Sequence, residues 1–154
     1  MSLEAYVGPE GNLLEMKAQQ CHRILLLSPF MSIEEINAMK TWRPPMLAFD
    51  HSHHVPEGGS HPGYQLALQR VCSEAAQANE DGITVIILSD RATGPTRVPL
   101  SALVACGGVR QHLSVLHKKR AKVALMVETA EAVKCTTFAF SRSLDTGEMP
   151  FALV

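Results

Sequence analysis

Several things are missing from this 154-residue sequence, and each absence excludes a class of protein. Neither charge sign prevails: the formal net charge is −1, so there is no broad electrostatic footprint for nucleic acid or an anionic membrane. The basic run His117-Lys118-Lys119-Arg120 stands where a helix should end, and cations there complement the helix dipole. No apolar run is long enough to span a bilayer, and the N-terminus has no apolar signal core. The four cysteines, at 21, 72, 106 and 135, form no CxxC pair and fit no zinc or iron–sulfur spacing. No P-loop is present, and Gly8-Pro9-Glu10-Gly11 lacks both the spacing and the preceding strand of a dinucleotide fingerprint. Seven scattered histidines give no assignable Ser/His/Asp set. The expectation is a soluble cytoplasmic protein with reduced thiols and no catalytic, cofactor-binding or metal-binding residue of its own.

What is present is ordinary globular material: 46% apolar and 19% charged residues in a length that suits one domain. Met1 to Gln20 reads as irregular. Arg23-Ile24-Leu25-Leu26-Leu27 reads as a short buried strand. Ser32 is placed to cap a helix whose first turn holds Glu34 and Glu35. Met46 to Phe49 reads as a second strand, followed by a His-, Gly- and Pro-rich loop from Asp50 to Gly63. Tyr64 to Asn79 predicts a helix with Leu68, Val71, Cys72, Ala75 and Ala76 inward, ended by Gly82. Thr84 to Leu88 is apolar on both faces, as in a covered parallel sheet. Pro99 to Leu116 predicts a helix with Pro99 at its start and Leu103, Cys106, Val109, Leu113 and Leu116 inward. Val123 to Val127 is another buried strand. Strand, helix, strand, helix, strand argues for an α/β architecture with right-handed crossovers.

Two groups invite a functional reading. His51, His53, His54 and His61, with Asp50, are zinc-ligand types, but the loop offers no regular element to fix their geometry, so a solvated loop is the reading taken and metal binding the alternative. Ser89-Asp90-Arg91 follows the strongest strand directly, where parallel α/β sheets bind ligands. An anion or carboxylate could sit there. The reading favoured is a capped turn in which Asp90 and Arg91 pair with each other or bond to backbone amides. Glu128, after the next strand, is read the same way.

The residues also carry a resemblance. Met1 to Glu15, Ser28-Pro29-Phe30, Gly82 through Arg91 and Val98 to Leu103 resemble segments of the central domain of glutamate synthases, with the flavour of the long eukaryotic NADH-dependent form. Gly107-Gly108-Val109-Arg110-Gln111-His112-Leu113 is similar to the family's Gly-Gly-Val-His-His-His-Leu, and Val127-Glu128-Thr129-Ala130-Glu131-Ala132 to its Val-Glu-Thr-Gly-Glu-Ala. The resemblance implies a family that makes two glutamates from glutamine and 2-oxoglutarate, in ammonia assimilation. An amidohydrolase domain with a cysteine nucleophile releases ammonia, and a barrel carrying FMN and an iron–sulfur cluster reduces the imine with NADH-derived electrons. The central domain lies between them as a scaffold of barrel-related α/β fold without catalytic residues. The expected fold is therefore a partial barrel-related parallel sheet with flanking helices.

By the same resemblance, residues 1–132 are expected to be the second half of that domain, and residues 133–154 a non-homologous tail. After Ala132 the family pattern reads Arg-Glu-Val-His-His-Phe-Cys-Val-Leu, whereas this chain has Val133-Lys134-Cys135-Thr136-Thr137-Phe138. Suitable codons read one base out of frame restore much of the family pattern, so a frameshift is the expected origin, and the tail is expected to pack poorly. The partners expected are other synthase domains, plus self-association through exposed sheet edges. A stand-alone module that docks on those domains is the alternative.

Overall fold

A computed structural model describes residues 5–8, 14, 17–18, 23–28, 30–41, 48–52, 54–56, 61–95, 97–115, 123–130 and 151–153. Five strands form a wholly parallel sheet: β3 (Phe30–Met31), β9 (Phe151–Leu153), β8 (Ala124–Thr129), β6 (Val85–Ser89) and β4 (Ala48–Ser52), in that spatial order. Two antiparallel ribbons flank it, β1 (Ala5–Val7) with β2 (Ile24–Leu26), and β5 (His54–Pro56) with β7 (Arg97–Pro99). Three helices complete the described fold: α1 (Ile33–Thr41), α2 (His61–Glu80) and α3 (Ala102–Val115). The fold class is α/β, as the alternation of patterns in the sequence predicts. Among the described residues no helix is long and apolar enough to cross a membrane.

The core follows from strand alternation. Every residue of β6 is buried. Ile86 and Leu88 point to one face, where α2 and α3 cover them together with Leu125 and Val127 of β8. Val85 and Ile87 point to the other, against Ile36 and Met39 of α1, Met31, Met126 and Val7. A strand covered on both sides has no polar face to display, which is why Thr84 to Leu88 reads as continuously apolar. Cys72 and Cys106 lie in the α2–α3 side of this core as free thiols. Burial pushes the Cys106 thiol up to about 11, so it packs as a small apolar group.

Local chemistry sets the helix ends. At α1 the Ser32 hydroxyl accepts from the Glu35 amide (3.2 Å) while the Glu35 carboxylate accepts from the Ser32 amide (2.7 Å). This reciprocal pair is a capping box. At α2 the Gly82 amide donates to the Asn79 carbonyl (3.2 Å) and the Ile83 amide to the Ala78 carbonyl (3.0 Å). That is the Schellman pattern, and it requires the left-handed backbone that Gly82 adopts at φ 87°.

The structure corrects three expectations. The run from Arg23 to Leu27 is a strand, but neither buried nor in the parallel sheet: β2 pairs antiparallel with β1, and Leu25 is 46% and Leu27 79% exposed. Only one face of that ribbon meets the core, so alternate residues look outward. Pro99 does not start a helix. It ends β7 opposite His54, and α3 begins at Ala102, whose preceding residue Ser101 accepts the first helical bond from the Ala105 amide. A proline lacks the donor that a strand interior needs, and a strand end tolerates it. The described part of the histidine stretch has regular backbone: Asp50 and His51 lie in β4, His54 in β5, and His61 opens α2, while residues 57–60 fall outside the described ones. His53 and Leu116 fall outside the described residues. Of residues 133–154, the described ones are 151–153, and they form β9 between β3 and β8. Phe151-Ala152-Leu153 is a short apolar run, and the edge of β8 offers it a ladder of hydrogen-bonding groups.

Candidate functional site

The parallel pairing of β6 and β8 sets Ser89 directly beside Glu128 at the carboxyl end of the sheet. In open parallel sheets that end is where ligands gather. Ser89, Asp90, Glu128 and Thr129 are also the buried polar residues among those described. Apolar strands lead up to them, so the question is what compensates their burial.

The compensation is internal. The Glu128 side chain has no solvent exposure and accepts from two cations, Lys40 Nζ at 2.9 Å and Arg91 Nε. Lys40 comes from the last turn of α1, on the face that carries Ile36 and Met39 inward. Arg91 comes from the turn after β6. Burial alone pushes the Glu128 carboxyl toward its neutral form and is the largest single influence. The Lys40 hydrogen bond, the Ser89 hydroxyl, the Lys40 charge and the Arg91 bond together outweigh it and hold the carboxyl below its ordinary value. Asp90 is satisfied separately. Its Oδ2 accepts from the Thr129 hydroxyl (2.7 Å) and the Ala130 amide (2.9 Å), and its own amide donates to the Glu128 carbonyl (3.3 Å). Its carbonyl accepts from the Thr93 amide at 3.1 Å, and the Ser89 hydroxyl accepts from the Arg91 amide at 3.3 Å.

The capped-turn reading of Ser89-Asp90-Arg91 therefore describes the geometry, with one change of partner. Arg91 pairs with Glu128 and not with its neighbour Asp90. Lys40 escaped sequence reasoning altogether. The available signal was its place four residues after Ile36, on the helix face turned to the sheet. Two carboxylates and two cations balance in charge, with each Glu128 oxygen already engaged. Such a cluster can staple α1 and the post-β6 turn to β8. For the histidine stretch, the backbone places His51 on β4 and His54 on β5, in two separate sheets. Among the described residues no group of three or more His, Cys, Asp or Glu is assembled to hold a metal ion.

Comparison with known proteins adds a second line of information. The family model described as the glutamate synthase central domain matches residues 1–145. The NADH-dependent glutamate synthase of Schizosaccharomyces pombe is 40% identical over 139 residues, covering 86% of this chain and 6% of the relative. That of Saccharomyces cerevisiae is 39% identical with the same coverage. The large chain of the NADPH-dependent enzyme from Azospirillum brasilense is 32% identical, over 90% of this chain and 9% of its own length. This chain thus spans less than a tenth of the length of these relatives.

Proposed function

The chain belongs to the glutamate synthase central-domain family, and from that premise we propose that it is a scaffold element of such a synthase, inactive in catalysis on its own. The observation that supports this reading is the carboxyl end of the sheet. The position that would hold reactive groups in an enzyme of this architecture is occupied by Glu128, Asp90, Lys40 and Arg91 in mutual ion pairs and hydrogen bonds. A group held in a buried ion pair on both oxygens is stabilised as a structural charge and is poorly suited to give or take a proton in turnover.

In this reading, glutamine hydrolysis and the reduction of the imine from 2-oxoglutarate belong to other parts of the synthase, as do FMN, the iron–sulfur cluster and NADH. The partners of this chain are those other synthase domains. In the same reading residues 1–132 carry the domain's sequence character and the chain beyond them departs from it through a frameshift, a boundary that stands against the family model's match as far as residue 145. The test is direct. Purified chain is incubated with glutamine, 2-oxoglutarate and NADH, and absorbance and glutamate are followed. The expected result is no glutamine-dependent NADH oxidation and no ammonia release above a heat-treated control. Turnover above that control overturns the proposal.

A further inference from the structure

The five-stranded sheet is not laid out in chain order. Its spatial order is β3, β9, β8, β6, β4, so the last of these strands along the chain stands between the first and the other three. Among the described residues β3 pairs with β9 alone, Phe30 opposite Phe151 and Met31 opposite Ala152. The other side of β9 pairs with β8, from Val127 opposite Phe151 to Thr129 opposite Leu153. The backbone bonds that tie β3 into the sheet therefore run through the three residues of β9.

β3 carries other elements with it. It leads through the capping box at Ser32 into α1. Met31, Ile36 and Met39 share one apolar cluster with Val7 of β1, and Ile24 and Leu26 of β2 pack against that cluster. β1, β2, β3 and α1 are thus one packed flap. It lies on Val85, Ile87 and Met126 of the sheet, and Lys40 reaches from it to Glu128. Apolar contact is non-directional and fixes no register, and the Lys40 pair holds the flap at a single point. The ladder between β3 and β9 supplies directional bonds, and α1 also meets β9. Both ladders of β9 are short, whereas the five residues of β6 are paired along their whole length with β4 and with β8. Short ladders open more readily than long ones, and openings spread over cooperative units.

We propose that β9 is a clasp and that β1, β2, β3 and α1 are the flap it holds, so that release of β9 frees the flap as one unit while β4, β6, β8, α2 and α3 stay folded. The block left behind has its own cohesion. β6 keeps both of its neighbours, and the larger apolar cluster under α2 and α3 is untouched. Release uncovers Val85, Ile87, Met126 and Glu128, all of them buried when the flap is closed. The inference stands independently of any role within a synthase.

Amide hydrogen exchange on the whole chain, read residue by residue by NMR at low urea concentrations, tests it. In the wild type the protected amides of β9, β3 and α1 should share one opening equilibrium and one urea dependence, distinct from those of β6 and α2. Ala152→Pro removes a ladder donor from the middle of β9. It should speed exchange in β3 and α1 at least about tenfold and leave β6 and α2 within about twofold. Coupling is reciprocal. Ile36→Val, which trims one methyl group inside the flap, should therefore speed β9 by the same factor as α1. An α1 that exchanges at its wild-type rate in Ala152→Pro would overturn the proposal. So would equal acceleration of β6, α2 and α1, which would make β9 part of a single cooperative whole. If Ala152→Pro fails to fold, the wild type and Ile36→Val decide. α1 amides as slow as those of β6, or a β9 that does not follow α1 in Ile36→Val, would then overturn it.

Discussion

The two faces of the parallel sheet are covered differently. On the α2–α3 side, sixteen buried residues, fifteen from two helices and two strands together with Leu100, form one cluster among the described residues, whereas seven form the cluster on the α1 side. The first face is closed by two long helices that also pack on each other. Among the described residues the second is covered by one nine-residue helix and the inner side of a three-residue ribbon, whose outer side leaves Tyr6 and Leu25 half exposed. Buried apolar area is the main favourable term in folding, so the first face is the stable half. The second relies more on discrete polar devices: the capping box at Ser32 and the ion pairs of Glu128. Local openings are expected to begin there.

The largest effect should come from the shared strand. Ile86→Ala removes a fully buried side chain from the larger cluster and should destabilise by about 2–5 kcal/mol. The exposed ribbon change Leu25→Ala should stay within about 0.5 kcal/mol. Urea unfolding measures both, and equal losses would erase the contrast between the two regions.

The next effect sharpens the account of the α1 side. Glu128→Gln leaves Lys40 and Arg91 facing an uncharged amide. Because both cations retain some contact with solvent, the expected loss is about 2 kcal/mol, below the usual range for a wholly buried pair. The sign with pH follows from the lowered folded-state value. Ionised Glu128 contributes stability above its ordinary value of 4.5, and that contribution fades as pH falls through the lower folded value. The wild type should therefore lose stability more steeply than Glu128→Gln between about pH 6 and pH 3. Parallel curves would mean that the carboxylate does not hold α1.

The smallest effect tests the capping box. Ser32→Ala should cost about 1 kcal/mol and raise amide exchange in α1 while leaving α2 and β6 unchanged. Equal acceleration across both faces would show one cooperative unit without a weaker half.

Much of this was legible along the chain because it is local. The apolar stripe of α2, the two-faced burial of β6, the stop at Gly82 and the cap at Ser32 depend on residues within a turn or two of each other, and side-chain period and backbone freedom decide them. The candidate site was half legible. Ser89, Asp90, Arg91 and Glu128 stood out because polar residues follow apolar strands, but the pairing of Arg91 with Glu128 joins residues 37 apart, and that of Lys40 with Glu128 joins residues 88 apart. No local rule selects between Asp90 and Glu128 as the partner of Arg91. The same holds for β2, whose apolar run is compatible with the parallel sheet or with a ribbon, and for β9, which reaches the sheet only because β8 presents an open edge. The sequence by itself determined which segments are helices and strands and which faces they bury. Tertiary structure alone decided which strands are neighbours, where each charge finds its counter-ion, and so that the carboxyl end of the sheet is a closed polar network, because those outcomes depend on the parallel crossovers that bring distant segments into contact.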